Sequence, residues 1–199
     1  MPRRWYISDT HFDHGNILKF FGKDGNRIRP EFDTVEQMNE AMIDRWNAVV
    51  KPDDTVVHLG DIAMSNPTRL REIMNKLNGE KILVKGNHDR LKLSVYADIF
   101  RDVRSFIRPN HQKIVFTHIP LHPDSVPLFC INVHGHIHEK TVMAVFSNEI
   151  PDLKYLNISV ERTDYTPVSN EWIIEECNKR REIAYESVNE VIAGGGTLS

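Results

Sequence analysis

Ile82-Leu83-Val84-Lys85-Gly86-Asn87-His88-Asp89 decides how the rest of the chain is read. A short run of Ile, Leu and Val forms a buried strand, Gly86 ends it, and an amide, an imidazole and a carboxylate follow at once. The same order recurs on both sides of this stretch. Upstream, Trp5-Tyr6-Ile7-Ser8 runs into Asp9 and His11, and Val56-Val57-His58-Leu59-Gly60 runs into Asp61. Downstream, Ile114-Val115-Phe116-Thr117 runs into His118, and Ile131-Asn132-Val133-His134-Gly135 runs into His136 and His138. Ligands of open α/β sheets sit beyond the carboxyl ends of the strands. One sheet edge therefore gathers two carboxylates, an amide and several imidazoles, which predicts a metal site for two ions.

The segments between these runs read as helices. Thr34 and Gln37 have the spacing of a capping box, and Val35, Met38, Met42, Trp46 and Val49 recur at helical period, predicting a helix over 34–50. Asn66 and Pro67 open a second helix that carries Leu70, Ile73, Met74 and Leu77 and stops at Asn78-Gly79. A short helix is expected over 90–98, strands over 102–107 and 112–117, a strand over 155–161, and a last helix from Glu171. Strands interleaved with helices give an α/β class.

The length of 199 residues fits one domain, read as 1–190, with 191–199 as a flexible tail. A hydrophobic share of 40% and a charged share of 27% are those of an ordinary globular chain. The formal net charge of −3 gives no reason to expect avid binding to nucleic acid or to an anionic membrane. No apolar stretch approaches the roughly 20 residues that span a bilayer. Met1-Pro2-Arg3-Arg4-Trp5 enters a strand directly, without the apolar region of a signal peptide, so a cytoplasmic location is expected. Cys130 and Cys177 lack a CxxC pattern and read as reduced thiols that ligate nothing.

Each metal motif also has a plain reading. Asp9-x-His11 alone describes a solvated loop, Gly60-Asp61 a turn, and Gly135-His136-x-His138 two neighbouring histidines, both able to reach one side of an extended segment. What separates the two readings is coincidence of position: all five signals fall at the ends of predicted strands and none inside a helix. His58 and His134 lie within apolar runs and read as packed core groups. His14 reads as a loop histidine, with substrate contact as the lesser alternative, and His111 and His122 read as surface. Arg101, Arg104, Arg108 and Lys113 form the best basic cluster, but alternation along strands describes a solvated face; Arg180-Arg181 reads as helix surface.

Taken in order, Asp9-x-His11, Gly60-Asp61, Gly86-Asn87-His88-Asp89, His118 and Gly135-His136-x-His138 resemble the calcineurin-like metallophosphoesterases, in particular their small stand-alone members. The resemblance implies a four-layer αββα sandwich, two mixed sheets face to face with helices outside. It also implies a binuclear centre in which Asp9, His11, Asp61 and His138 hold one ion. Asp61, Asn87, His118 and His136 would hold the other, with Asp61 bridging. Two features depart from the family pattern: the stretch between His11 and Asp61 is long, and Ile62-Ala63-Met64 lacks the acid that many members carry there. Neither removes a ligand; the helix over 34–50 is expected to bear on substrate access.

Such a centre hydrolyses phosphate esters through a hydroxide that bridges the ions. Mixed nitrogen and oxygen donors suit Mn²⁺, Fe, Zn²⁺, Co²⁺ or Ni²⁺, and the resemblance puts Mn²⁺ first. His88 fills neither ion's set and is assigned to stabilising the transition state or protonating the leaving oxygen, with Asp89 orienting it. The expected partner is a phosphate ester, a small molecule or nucleotide, either a monoester or a diester. A nuclease using the same centre is the rival within enzymes, although no positive, aromatic-lined track is evident. A silent protein-binding scaffold is the third reading; such chains lose ligands or His88, and this one keeps them.

Overall fold

Alternating apolar faces build two sheets, each in contact with the other on one side only. In the computed structural model, which describes residues 1–110, 112–127 and 129–193 (side chains to 186), β1 (Arg4–Ile7), β2 (Thr55–His58), β3 (Glu80–Val84) and β4 (Asp102–Arg104) run parallel. Within these residues, β9 (Val168–Ser169) closes the first sheet antiparallel to β1, in the order β4-β3-β2-β1-β9. The second sheet is β5 (Phe106–Ile107), β6 (Ile114–Thr117), β7 (Ile131–His134) and β8 (Tyr155–Asn157), all parallel except β5.

Successive strand side chains point to opposite faces. Tyr6, Val57, Ile82 and Val84 of the first sheet therefore meet Ile114, Phe116, Val133 and Leu156 of the second in a shared core. Tyr6 stacks on Phe116 with ring centroids 4.5 Å apart. The opposite residues, Trp5, Ile7, Val56 and Leu83, pack under three helices: α1 (Val35–Val49), α2 (Pro67–Lys76) and α3 (Leu93–Ile99). The capping box at Thr34 and Gln37 is formed, and Asn66 caps α2 with Pro67 in its first turn. The fourth helix, α4 (Asn170–Ala193), closes one end of the inter-sheet core with Ile173 and Cys177. Its Arg181 straps the backbone carbonyls of Gln112, Lys113 and Phe129, a more structural use than the surface position expected. The result is the expected α/β sandwich of two mixed sheets. Over the second sheet the outer cover is thin: Val115, Val126, Cys130 and Tyr155 pack under loops and a single 3-10 turn at 123–125.

Two expected strands differ from the finished fold. The run 102–107 divides at Ser105, with β4 in the first sheet and β5 in the second, so the chain changes layers there. The run 155–161 pairs only as far as Asn157; Ser159 then bridges to Ser8, and Val160–Arg162 turns into a 3-10 helix that carries Glu161. The 90–98 helix begins later, at Leu93. His111 and residues 194–199 of the tail lie outside the described residues. No helix among the described residues is long and apolar enough to cross a membrane.

Candidate metal centre

The loops after β1 and β2 are tied together before any metal is considered. The amides of Asp9, His11 and Phe12 donate to the carbonyls of Gly60, Asp61 and Ile62. Below them the Gly60 amide donates to His58 Nδ1, so His58 Nε2 carries the proton given to Thr10 Oγ1, which in turn donates to the Ile62 carbonyl. Burial lowers the His58 imidazole to about 3, which keeps it neutral in this chain of bonds. His58 and His134 are both core groups, as read from their apolar surroundings.

Five of the expected ligands leave their strands in the left-handed region, with φ of 59° at Asp9, 49° at His11, 56° at Asp61, 71° at His136 and 54° at His138. Asp and His visit this region more readily than bulky residues do, but strain of this kind gathers at functional sites. The turns it produces aim each side chain at one point. His136 and His138 are therefore not two residues of one extended face; they point into separate donor groups. The first group is Asp9, His11 and His138 and the second is Asp61, His118 and His136, the donor atoms of each lying within 4.8 Å of one another.

Asp61 sits between the groups. Its Oδ1 accepts the His88 amide at 2.8 Å, which leaves Oδ2 to face His11 Nε2 at 3.6 Å and His118 Nε2 at 3.3 Å. Asn87 joins the second group through Oδ1, 2.8 Å from His118 Nε2. Two glycines make these approaches feasible: a Cβ on Gly86 would strike Asp61, and one on Gly135 would strike Ser8 and Asp9. Asp9 is held by the His136 amide at 2.9 Å and Ser159 Oγ at 3.1 Å.

The donor set fits cations. Burial pushes the Asp9 carboxyl above the ordinary carboxylate range, so a neighbouring cation is what would keep it ionised. Burial acts in the same sense on Asp61 but is outweighed by the hydrogen bond and charge of His118, which hold its carboxyl low. Burial lowers His11 to about 2, and its Nε2 is a buried nitrogen without a hydrogen bond, as a metal-ready imidazole requires. The other ring nitrogens are taken up behind the site. His118 Nδ1 lies 2.8 Å from the Leu59 carbonyl and His138 Nδ1 lies 3.0 Å from Glu161 Oε1, so both rings present Nε2 to the centre.

Glu161 and Arg29 are the residues the sequence did not announce. Arg29 is 0% exposed and donates to the carbonyls of Asp9 at 2.6 Å and Thr10 at 2.9 Å, and through Nε to Glu161 at 2.9 Å. Burial alone would raise the Glu161 carboxyl, but Arg29 and the His138 hydrogen bond hold it below the usual range. The long stretch between His11 and Asp61 thus delivers a cation to the back of the centre, while its helix α1 packs on the outer face of the first sheet. His14 stands 3.2 Å from His11, Nδ1 to Nδ1, as a neighbour of an expected ligand.

Asp89 departs from its expected use. Its carboxylate accepts the amides of Asp61, Ile62 and Gly86 at 2.9, 3.0 and 2.8 Å, fixing the loop that carries Asp61. It does not orient His88, whose buried Nδ1 has no partner. Arg101 and Arg104 pair with Glu80 and Asp102 on the surface, as a solvated face predicts, and His122 is exposed beside Asp124.

Residues 5–157 match a sequence-family model described as the calcineurin-like phosphoesterase superfamily domain. The uncharacterized protein MJ1445 of Methanocaldococcus jannaschii is 35% identical over 191 residues, which cover 92% of this chain and 96% of that protein. The gene 66 protein of Mycobacterium phage L5 is 32% identical over 92 residues, covering 45% of this chain and 41% of that protein. Among solved structures, that of the protein of unknown function AQ665 from Aquifex aeolicus aligns with a TM-score of 0.63 at 27% identity, covering 88% of this chain and 99% of that chain.

Proposed function

The chain belongs to the calcineurin-like phosphoesterase superfamily, and from that premise we propose that it hydrolyses phosphate esters with two divalent transition-metal ions. The observation that carries this reading is the position of Asp61 Oδ2, facing donors of both three-residue groups at once. Asp9, His11, Asp61 and His138 would hold one ion, and Asp61, Asn87, His118 and His136 the other. Bound there, the ions would supply a water acidified toward neutral pH and positive charge for the phosphoryl oxygens.

The chain's own residues supply the rest. Asp9 and Asp61 are the anionic donors among the seven, so the loaded centre would keep a net positive charge and favour an anionic ester. His88 stands beside the first donor group with its ring 5.5 Å from that of His11, a position from which it would reach a leaving oxygen. It would donate a hydrogen bond or a proton to that oxygen as the ester bond breaks. The mixed nitrogen and oxygen donors favour Mn²⁺ over Mg²⁺ or Ca²⁺.

Turnover of p-nitrophenyl phosphate and bis-p-nitrophenyl phosphate, measured with Mn²⁺, Ni²⁺, Zn²⁺ and Mg²⁺ and after chelation, tests the proposal. Metal-dependent release of nitrophenol from either ester is the expected result. Inactivity with both esters under every metal would overturn it, and activity confined to plasmid or oligonucleotide would replace it with a nuclease.

A further inference from the structure

A cleft of about 610 Å³ opens directly beside the centre, and Asn87 and His118 belong to its wall as well as to the second donor group. Val115 and Thr117 of β6 line it, on the face of the second sheet that packs under loops and the 3-10 turn at 123–125. Phe106, Ile119, Leu121 and Pro127 add apolar walls. Phe106 is 55% exposed and Ile119 is 50% exposed, so two large apolar groups stand open to solvent next to a polar site.

Two cations complete the cleft. Arg101 and Arg104, nearby on the same stretch, have their charges matched by Glu80 and Asp102. Lys85 and Arg108, which line the cleft, have no carboxylate partner among the described residues.

On the phosphoesterase reading, we infer that this cleft receives one arm of the ester, and that the arm is a flat apolar group bearing a further negative charge, the chemistry of a nucleotide. An exposed phenyl ring offers a face for a planar group to stack on. The volume lies within the roughly 300–1,000 Å³ range of small-ligand sites. The loaded centre already carries the charge that one phosphoryl group requires, so Lys85 and Arg108 provide for a second anion. A polymer would call for a run of stacking platforms and a longer basic track. Here the neighbouring arginines are already neutralised, and the chain as a whole is acidic, at −3.

The test compares wild type with Arg108→Glu, and with Lys85→Glu as a second variant should the first fold poorly. The substrates are adenosine 3′,5′-bisphosphate, followed by phosphate release, and p-nitrophenyl phosphate, whose arm is uncharged. Binding of the methylene-bridged analogue of ADP in the presence of Mn²⁺ is measured separately by calorimetry. The ratio of kcat/KM for the bisphosphate to that for the nitrophenyl ester is expected to fall about tenfold or more in the variant, as reversal of a contacting charge predicts. Affinity for the ADP analogue is expected to weaken in parallel. An unchanged ratio and unchanged affinity, in enzyme that turns over the nitrophenyl ester, overturn the inference and leave the phosphoesterase reading intact. Loss of analogue binding in a protein that hydrolyses neither of these substrates nor bis-p-nitrophenyl phosphate supports the cleft assignment and removes the phosphoesterase reading. A wild type that prefers oligonucleotides to the bisphosphate overturns the nucleotide assignment in favour of a polymer.

Discussion

His88 contributes its backbone and its ring to different tasks, and a truncation separates them. The amide holds Asp61 Oδ1, while the ring has no hydrogen-bond partner on Nδ1 and lies outside both donor groups. Replacing the ring leaves the amide, so His88→Ala keeps the Asp61 carboxylate where it is. The variant is expected to retain both ions by elemental analysis and to lose roughly 10²–10⁴-fold in kcat, the usual contribution of a positioned acid–base group. Undiminished kcat would take His88 out of the mechanism; loss of metal together with activity would make it a ligand. The positions of the seven candidate donors and of His88 were legible in the sequence because each follows a strand closely and a strand end has a predictable place. Asp89 was misassigned for a physical reason. Adjacency in sequence to His88 suggested a carboxylate–imidazole contact, but three backbone amides of the Asp61 and Gly86 turns converge on that carboxylate and leave it no freedom to reach the ring.

At the scale of elements, the centre depends on two segments outside the strands and α-helices: the loop before α1, which carries Arg29, and the 3-10 turn after β8, which carries Glu161. The pair is buried, with side-chain exposures of 0% and 3%, and it connects the Asp9 loop to His138. Arg29→Met would remove the guanidinium and leave the buried Glu161 carboxylate held by His138 alone, and breaking a buried ion pair costs roughly 3–5 kcal/mol. Urea unfolding of Arg29→Met, Glu161→Gln and the double variant is expected to show the double losing less than the sum of the singles. Metal affinity should fall about 10–100-fold in either single variant, as for other groups that orient a ligating histidine. Additive stability losses with unchanged affinity would reduce the pair to ordinary packing. Periodicity placed α1, α2 and the strand ends, because burial of one face imposes a repeat on the sequence. It had nothing to say about Arg29, since Arg27-Ile28-Arg29-Pro30 has the composition of a surface loop and its burial comes with contacts as far as 20 and 132 residues away. Glu161 was placed on a strand by simple alternation, whereas pairing stops at Asn157 and the backbone turns so that the carboxylate meets His138.

Across the whole molecule, both sheets and the loops above them meet at one place, and that place is where the backbone is least comfortable. Asp9, His11 and Asp61 leave the first sheet, and His136 and His138 leave the second, all five with positive φ. Each such residue costs on the order of 1–3 kcal/mol unless its surroundings determine it. The hydrogen bonds of Asp89, Arg29 and Ser159 supply part of that determination, and bound cations would supply the remainder by joining donors that come from different sheets. Ions that bind only the folded chain stabilise it by mass action: free metal at a hundred times its Kd adds about 2.7 kcal/mol per site. For a chain of this length that corresponds to a rise in Tm of roughly 5–10 °C per site. A calorimetric or fluorescence melt with excess Mn²⁺ should show this rise, and a chelator should reverse it. Asp61→Asn should lose more than half of the rise, because its Oδ2 faces both donor groups while Asp9 serves only the first. A melting temperature indifferent to Mn²⁺, Ni²⁺, Zn²⁺ and chelator alike would mean that the strain at the sheet edge is held by hydrogen bonds alone and that the seven donors do not act together.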